Sequence, residues 1–254
     1  MKIKPIFTTT VAKNTYNADG SLWMPKGSRV AYCSSFKTKK FGNFSLVAPN
    51  PVHLFIANVD YLTGEINKEA DVIDKIDKII VFSKLVNGVN KYTTEELLKL
   101  DPNATQVRKL DEDKLYKYLY LTVSCLMSMI AAVEAFVNQE LPKDYELTRN
   151  DKNGQPKLLK KQEIEAGMRL EEKIELLGKV LAKNDYKQKQ FWQDFKHVKK
   201  LRDDIVHLKT KGSDLVNRHD ALLNELFELN FVQSRDSIVS LLNHFISGYI
   251  EDYH

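Results

Sequence analysis

The spacing of hydrophobic residues along the chain changes near residue 50. Before that point, β-branched and aromatic runs are separated by turn residues such as Asp19-Gly20 and Pro25-Lys26-Gly27, a pattern typical of short antiparallel strands. Beyond it, hydrophobic residues recur about every 3.6 positions, which indicates helices that bury one face. The pattern predicts a mainly α protein with an N-terminal β-rich element or arm over residues 1–50, a helical connecting region over residues 51–110 and a helical bundle over residues 111–254.

Breaks rich in proline, glycine and asparagine separate the predicted helices. Thr93 begins one of them, since its hydroxyl can cap the helix and Glu95 and Glu96 follow in the first turn. The polar segment over residues 142–156 is predicted to be a surface loop. The last helical segment is either one long helix or two helices broken near residues 230–234. The predicted helices cover residues 52–62, 71–85, 93–100, 111–141, 157–183, 191–207 and 215–253.

The longest of these helices contains sixteen consecutive residues without a formal charge, from Tyr118 to Val133. A membrane span needs about 20 mainly apolar residues, so this run predicts the central helix of a bundle and no membrane partner. Glu134 and Asn138 follow one turn apart and are expected to face protein surroundings. The Glu134 carboxylate then pairs either with an arginine of a neighbouring helix or locally near the helix end.

Charge is unevenly distributed along the chain, although the formal net charge is only +4. Residues 157–211 contain 15 Lys and Arg against 9 Asp and Glu, and residues 1–60 contain 8 against 2. Basic segments suit a polyanion such as RNA, or they form a solvated lysine-rich helix face. The N-terminal element has three roles open to it: packing on the helices, joining the sheet edge of a partner, or gripping RNA through Lys37, Lys39 and Lys40.

Composition favours an ordinary globular protein, with 43% hydrophobic and 28% charged residues. Lysines and a proline interrupt any early apolar run, so no secretory segment is expected. Cys33 and Cys125 stand in different contexts and give neither a disulfide framework nor metal-ligand spacing. We therefore expect a cytoplasmic protein that uses no metal and no cofactor.

Candidate chemistry is concentrated at the end of the helix over residues 191–207, where Arg202 and His207 stand among lysines and aspartates. Five helical steps leave the two side chains about 140° apart, so they do not share a face. Both can serve one site if the helix loosens near Gly212, if the long arginine reaches round, or if another subunit completes the site.

These residues carry a family resemblance. The run Arg202-Asp203-Asp204-Ile205-Val206-His207 resembles the R-x4-6-H signature of the HEPN superfamily, including the polar residue after the arginine. Residues 131–138, which include Glu134 and Asn138, are similar to the first core helix of such domains, and residues 170–177 resemble the intervening helix. The resemblance covers roughly residues 111–250.

The resemblance implies a HEPN-like helical bundle that forms a homodimer, in which two motifs face one cleft. It also implies a metal-independent endoribonuclease, either a toxin or a phage-defence effector, with RNA as substrate and an antitoxin protein as a further partner. Some family toxins carry a tyrosine two positions after the histidine, which a partner enzyme modifies; Lys209 stands there in this chain, which puts silencing by that route in doubt.

In the reaction that the resemblance implies, the ribose 2′-hydroxyl attacks the adjacent phosphorus and leaves a 2′,3′-cyclic phosphate. A histidine titrates near neutrality and can move a proton to or from the reacting oxygens, and an arginine offers a charged fork to the phosphate. His207 and Arg202 would take these roles, with Asp203, Glu134 and Asn138 as supporting site residues. The lysines expected to hold the RNA backbone are Lys199, Lys200, Lys209 and Lys211.

Two other interpretations stay open. Many relatives retain the fold as non-catalytic modules that bind nucleotide, RNA or a protein partner. Alternatively, Arg202 forms a structural ion pair with Asp203, Asp204 or Glu134, and His207 occupies a helix C-terminus, where a partial negative charge favours its cation.

Overall fold

The computed structural model describes residues 8–10, 13–17, 19–27, 29–31, 33–40, 42–47, 49–81, 93–108, 112–150, 152–207 and 215–251. Helices dominate these residues, and the strands occur only as short pairs. The predicted mainly α class with a small N-terminal β element is therefore confirmed. By compactness the chain divides into one unit of residues 62–124 and another that comprises residues 1–61 and 125–254.

The N-terminal element consists of three antiparallel strand pairs, in which β1 pairs with β4, β2 with β3 and β5 with β6. The predicted turn at Asp19-Gly20 joins β2 to β3: the Asp19 carboxylate accepts the Ser21 N–H at 2.9 Å, and Gly20 takes a φ of 83°. The strands are β1 (Thr8–Thr10), β2 (Thr15–Tyr16), β3 (Leu22–Met24), β4 (Arg29–Ala31), β5 (Cys33–Thr38) and β6 (Gly42–Val47).

The connecting region contains strands as well as helices. Helix α1 (Pro51–Asp74) contains the helix predicted over residues 52–62 and continues beyond it. The separate helix predicted over residues 71–85 is wrong, because α1 ends at Asp74. Strand β7 (Lys78–Val81) follows α1 and pairs antiparallel with β8 (Thr105–Arg108), which suits its β-branched run. Between them, α2 (Thr94–Leu100) has the predicted start, with a capping box between Thr93 and Glu96.

Helix α3 (Glu112–Glu140) forms over the predicted residues and supplies several of the most deeply buried side chains, among them Leu126, Met129 and Phe136. Its length and hydropathy would also suit a membrane span, which is weak evidence for one. Of its most apolar 18-residue window, 61% is buried within the protein. This burial favours the predicted role as a central core helix.

The predicted surface loop over residues 142–156 is in fact largely a hairpin. Strands β9 (Glu146–Asn150) and β10 (Pro156–Lys160) pair antiparallel, and Gly154 supplies the left-handed turn residue with a φ of 79°. The helix predicted over residues 157–183 accordingly begins later and is broken in two, as α4 (Lys161–Gly167) and α5 (Leu170–Val180).

The C-terminal helices are α6 (Gln190–Val206), α7 (Leu215–Glu228) and α8 (Phe231–Phe245), and a 3₁₀ turn precedes them (Asp185–Gln188). Helix α6 packs against both α7 and α8. Asn230 caps α8 by accepting the Gln233 N–H at 3.0 Å, so the two-helix alternative is confirmed. Trp192 is buried and lies 4.9 Å from the Tyr186 ring, centroid to centroid, so it is a core residue.

Candidate functional site

Helix α6 ends just before the histidine of the motif. Val206 is its last residue, and His207 caps it with φ and ψ of −114° and 31°, while the His207 N–H still donates to the Asp203 carbonyl at 2.8 Å. The helix predicted over residues 191–207 is therefore confirmed to within one residue at each end. Gly212 itself, Lys209 and Lys211 lie outside the described residues, so the two lysines stay predictions. The imidazole of His207 is exposed at the helix end.

A cavity of about 610 Å³ opens beside this end of α6 and extends to α7. Asp203 and His207, one turn apart, both face it, and the second helix contributes Arg218 and Glu225. The described lining holds three carboxylates against one arginine, so its formal charge is negative when the histidine is neutral. The lining residues are Asp203, Asp204, His207, Arg218, Ala221, Leu222 and Glu225.

Asp203 connects the cavity to the buried side of the motif. One of its carboxylate oxygens lies 3.0 Å from Nη1 of Arg202, and the other accepts a hydrogen bond from Nζ of Lys199 at 2.7 Å. Lys199 also lies 3.0 Å from the Glu171 carboxylate. Partial burial alone would lower the pKa of Lys199, but its hydrogen bonds to Asp203 and Glu171 outweigh that effect and raise it. These four side chains form one charge-compensated network.

Arg202 does not line the cavity that His207 faces. The side chain is 23% exposed, and its Nε is buried without a hydrogen-bond partner among the described residues. A buried donor left unpaired costs about 1–3 kcal/mol. Arg202 and His207 therefore do not share this cavity, and Arg202 is only partly satisfied by its ion pair with Asp203.

The other described lysine of the predicted RNA-binding set is also paired. Nζ of Lys200 lies 3.4 Å from the carboxylate of Glu225 and 3.8 Å from that of Asp204. The Lys200 side chain is well exposed, so these pairs are weak. Within the described part of the motif, carboxylates thus neutralise the basic flank that the sequence predicts.

Glu134 and Asn138 contact a cation from another helix, and that cation is a lysine, not the predicted arginine. Nζ of Lys173 on α5 lies 3.2 Å from the Glu134 carboxylate and 3.4 Å from Oδ1 of Asn138, and it donates to the Glu165 carbonyl at 2.5 Å. Asn138 is half-buried, but Glu134 is 48% exposed, so the expectation of protein surroundings is wrong for Glu134. Neither residue lines the cavity at His207.

Lys173 is the residue that sequence reasoning missed. Its side chain is only 1% exposed. Lysine is rarely buried in this way unless acceptor groups surround its ammonium. The signal was present: Lys173 falls on the same face of α5 as Leu170, Ile174 and Leu177, where a cation requires acceptors from a facing helix.

Comparisons with protein-family models, curated proteins and solved structures found no match to this chain. The described residues contain no cluster of three or more histidine, cysteine, aspartate or glutamate side chains arranged to hold a metal ion.

Proposed function

We propose that this protein is a HEPN-type endoribonuclease that cleaves RNA by attack of the ribose 2′-hydroxyl on the adjacent phosphorus, without a metal ion. His207 moves the proton, and Arg202 stabilises charge on the phosphate. A toxin or phage-defence setting follows from the same resemblance. The observation that carries the proposal is the position of His207, which is exposed at the end of α6 and faces a cavity of about 610 Å³. Arg218 lines the same cavity and supplies a cation there.

The unpaired donor on Arg202 supports a functional role over a purely structural ion pair. A structural arginine normally has its buried N–H groups satisfied, whereas Nε of Arg202 has no partner among the described residues. Asp203 holds the guanidinium at 3.0 Å through Nη1 and shares the same carboxylate with Lys199. This arrangement keeps Arg202 in place and leaves one donor unused.

A second copy of the chain completes the proposed site. A regular helix would place Arg202 and His207 about 140° apart, and Arg202 is absent from the lining of the cavity at His207. In a two-fold dimer the same surface meets itself, so a histidine of one subunit can approach the arginine of the other. The homodimer is therefore part of the proposal.

The test is RNA cleavage in the presence of EDTA, with analysis of the product ends. Wild-type protein should leave a 2′,3′-cyclic phosphate and a 5′-hydroxyl. Loss of the proton-transfer group in His207→Ala should lower the rate by about 10²–10⁴-fold, and Arg202→Lys should also be impaired because lysine lacks the planar fork.

His219→Ala is the matched control, because His219 is an exposed histidine on α7 that does not line the cavity. It should cleave at the wild-type rate. Cleavage that survives His207→Ala, or product ends other than a cyclic phosphate and a 5′-hydroxyl, would contradict the proposal.

The alternative is a non-catalytic HEPN-type module that binds RNA, nucleotide or a protein partner. The carboxylates around the motif count against cleavage at this cavity, since Asp203, Asp204 and Glu225 repel a phosphate there. Absence of cleavage for a range of RNAs, together with binding of RNA by the same preparation, would support this alternative.

A further inference from the structure

The hairpin of β9 and β10 carries a concave surface of opposite charge to the cavity at His207. A cavity of about 420 Å³ is lined by Arg149, Asn150, Lys152, Lys157 and Leu159. Three of these five side chains are cations, and none is a carboxylate. We call this surface the basic hairpin. It lies in a segment that sequence reasoning assigned to a loop and a helix start.

Two of the cations face each other across the strand pair. Arg149 and Lys157 are directly opposed in the β9–β10 register, and like charges in that position destabilise a hairpin. Their side chains are 53% and 58% exposed. Within the protein, only exposed carboxylates of neighbouring helices offset this repulsion, and an anion bound between the two side chains would offset it further.

The carboxylates behind the hairpin hold these cations only weakly. Arg149 lies 3.4 Å from the Glu172 carboxylate, and Lys157 lies 3.0 Å from that of Glu163. Exposed pairs of this kind contribute about 0–1 kcal/mol. Lys152 has no carboxylate within ion-pairing distance among the described residues. An incoming anion can therefore recruit all three cations at small cost.

The lining chemistry selects phosphates over bases. Arg149 offers a planar fork that matches a phosphate, and the two lysines act as point charges. Base recognition in single strands relies on aromatic stacking, and the described lining has no aromatic side chain. The surface thus fits the backbone of a nucleic acid strand.

The basic hairpin and the motif helix meet the same turn of α5. Glu172 pairs with Arg149 of the hairpin, and its neighbour Glu171 pairs with Lys199 of α6, which in turn contacts Asp203 of the motif. The hairpin and the motif helix are thus anchored to adjacent residues of α5.

We infer that the basic hairpin is the binding site for the RNA phosphate backbone, with Arg149, Lys152 and Lys157 as the contact residues. This inference rests on the proposed function for the choice of RNA as ligand. The basic hairpin, and not the paired lysines Lys199 and Lys200, then supplies most of the affinity for RNA.

The test measures binding of a short unstructured single-stranded RNA, labelled with fluorescein, by anisotropy over a series of salt concentrations. Both proteins carry His207→Ala to prevent cleavage. Against that background, the triple variant Arg149→Gln, Lys152→Gln and Lys157→Gln should reduce the slope of log K against log salt by about 2, since each lost phosphate contact contributes about 0.7. Between 50 and 200 mM salt, the parent should then lose roughly 16-fold more affinity than the variant.

The matched control replaces three exposed lysines of the same compact unit by glutamine: Lys179, Lys183 and Lys187. It removes the same charge, and two of its lysines are also paired with a carboxylate, that of Glu175. Its salt slope should stay that of the parent. The double variant Arg149→Lys and Lys157→Arg retains both charges, so its salt slope should also equal that of the parent. Far-UV circular dichroism checks that each variant is folded.

Equal slopes for the hairpin variant, the control and the parent would overturn the inference, as would failure of the parent to bind RNA. Neither result depends on cleavage. Conversely, a reduced slope for the hairpin variant alone, in a protein that never cleaves RNA, would support the basic hairpin while contradicting the endoribonuclease proposal.

Discussion

Replacing Glu134 by alanine removes the carboxylate that lies 3.2 Å from the ammonium of Lys173. The resemblance to HEPN domains predicts a supporting catalytic role for Glu134, whereas its contact to a buried lysine predicts a structural one. The two roles differ in what the substitution changes. A catalytic residue affects the rate of cleavage by folded protein, and a structural partner of Lys173 affects the free energy of unfolding.

The expected loss of stability follows from the surroundings of Lys173. Removing one partner of a buried ion pair costs about 3–5 kcal/mol. Lys173 keeps two oxygen acceptors, the Glu165 carbonyl at 2.5 Å and Asn138 at 3.4 Å, and Glu134 is half-exposed to screening solvent. We therefore expect Glu134→Ala to lower the free energy of unfolding by about 2 kcal/mol. Glu134→Gln retains an oxygen acceptor and should cost about 1 kcal/mol.

A double-mutant cycle isolates the ion pair. Lys173→Met removes the buried cation and fills its volume, so it should change stability by no more than about 1 kcal/mol. Added to that variant, Glu134→Ala should cost little, which gives a coupling energy of at least about 1.5 kcal/mol. Urea unfolding followed by the fluorescence of buried Trp192 measures all four proteins.

Cleavage per folded molecule should be the same for wild type and Glu134→Ala. The structural interpretation is refuted if Glu134→Ala loses less than about 0.5 kcal/mol, the size of an ordinary surface substitution. It is also refuted if the double variant is as unstable as Glu134→Ala, or if the cleavage rate falls while stability is retained.

Three further predictions concern Tyr186, Tyr249 and the proposed dimer. Tyr186→Phe should be neutral or stabilising by up to about 1 kcal/mol, since its buried hydroxyl has no partner among the described residues. Tyr249→Phe should instead cost about 1–2 kcal/mol, because the Tyr249 hydroxyl accepts a hydrogen bond from Asn50 at 3.1 Å and donates one to Gln139 at 3.3 Å. Urea unfolding measures both variants. Burial raises the pKa of Tyr186 and that of Tyr249 to about 12, so both hydroxyl protons are held more tightly in the folded chain than in the unfolded one. The contribution of these two groups to the free energy of unfolding should be complete below about pH 10 and decline from about pH 10 to 12. The prediction is contradicted if the free energy of unfolding of the wild type follows that of the double phenylalanine variant over this pH range. Mixing inactive Arg202→Ala with inactive His207→Ala should restore roughly a quarter of wild-type cleavage if each site takes one residue from each subunit, while a mixture that stays inactive would contradict the shared site.

Local signals in the sequence predicted much of the fold. Thr93 and Glu96 form the expected capping box, because both partners lie within one helical turn. Helix α3 forms over its long uncharged run, since a helix that is apolar on most sides needs a core. The residues around Ile79 and Ile80 were misassigned to a helix because a short apolar run fits either period, and the pairing of β7 with β8, more than twenty residues later, decides between them.

The candidate site shows the same division between local and distant contacts. The separation of Arg202 from His207 follows from helix geometry alone, and the ion pairs of Asp203 with Arg202 and Lys199 lie within one turn of α6. Lys173 could be recognised as a cation on the apolar face of α5, but its pairing with Glu134 depends on the packing of α5 against α3, which no local pattern fixes. The charge of the cavity at His207 depends on Arg218 and Glu225, which the packing of α7 on α6 brings there.

The opposite charges of the two cavities separate binding from chemistry in the proposed enzyme. Three carboxylates line the cavity at His207, so that surface adds little affinity for RNA, whereas the basic hairpin carries three cations and no carboxylate in its lining. Contacts made equally in the ground state and the transition state change KM alone, and contacts made only in the transition state change kcat. Neutralising Arg149, Lys152 and Lys157 should therefore raise KM with kcat retained, and His207→Ala should lower kcat with KM retained. If the hairpin substitutions lowered kcat instead, the strand would contact the hairpin only in the transition state, and binding and chemistry would share one surface.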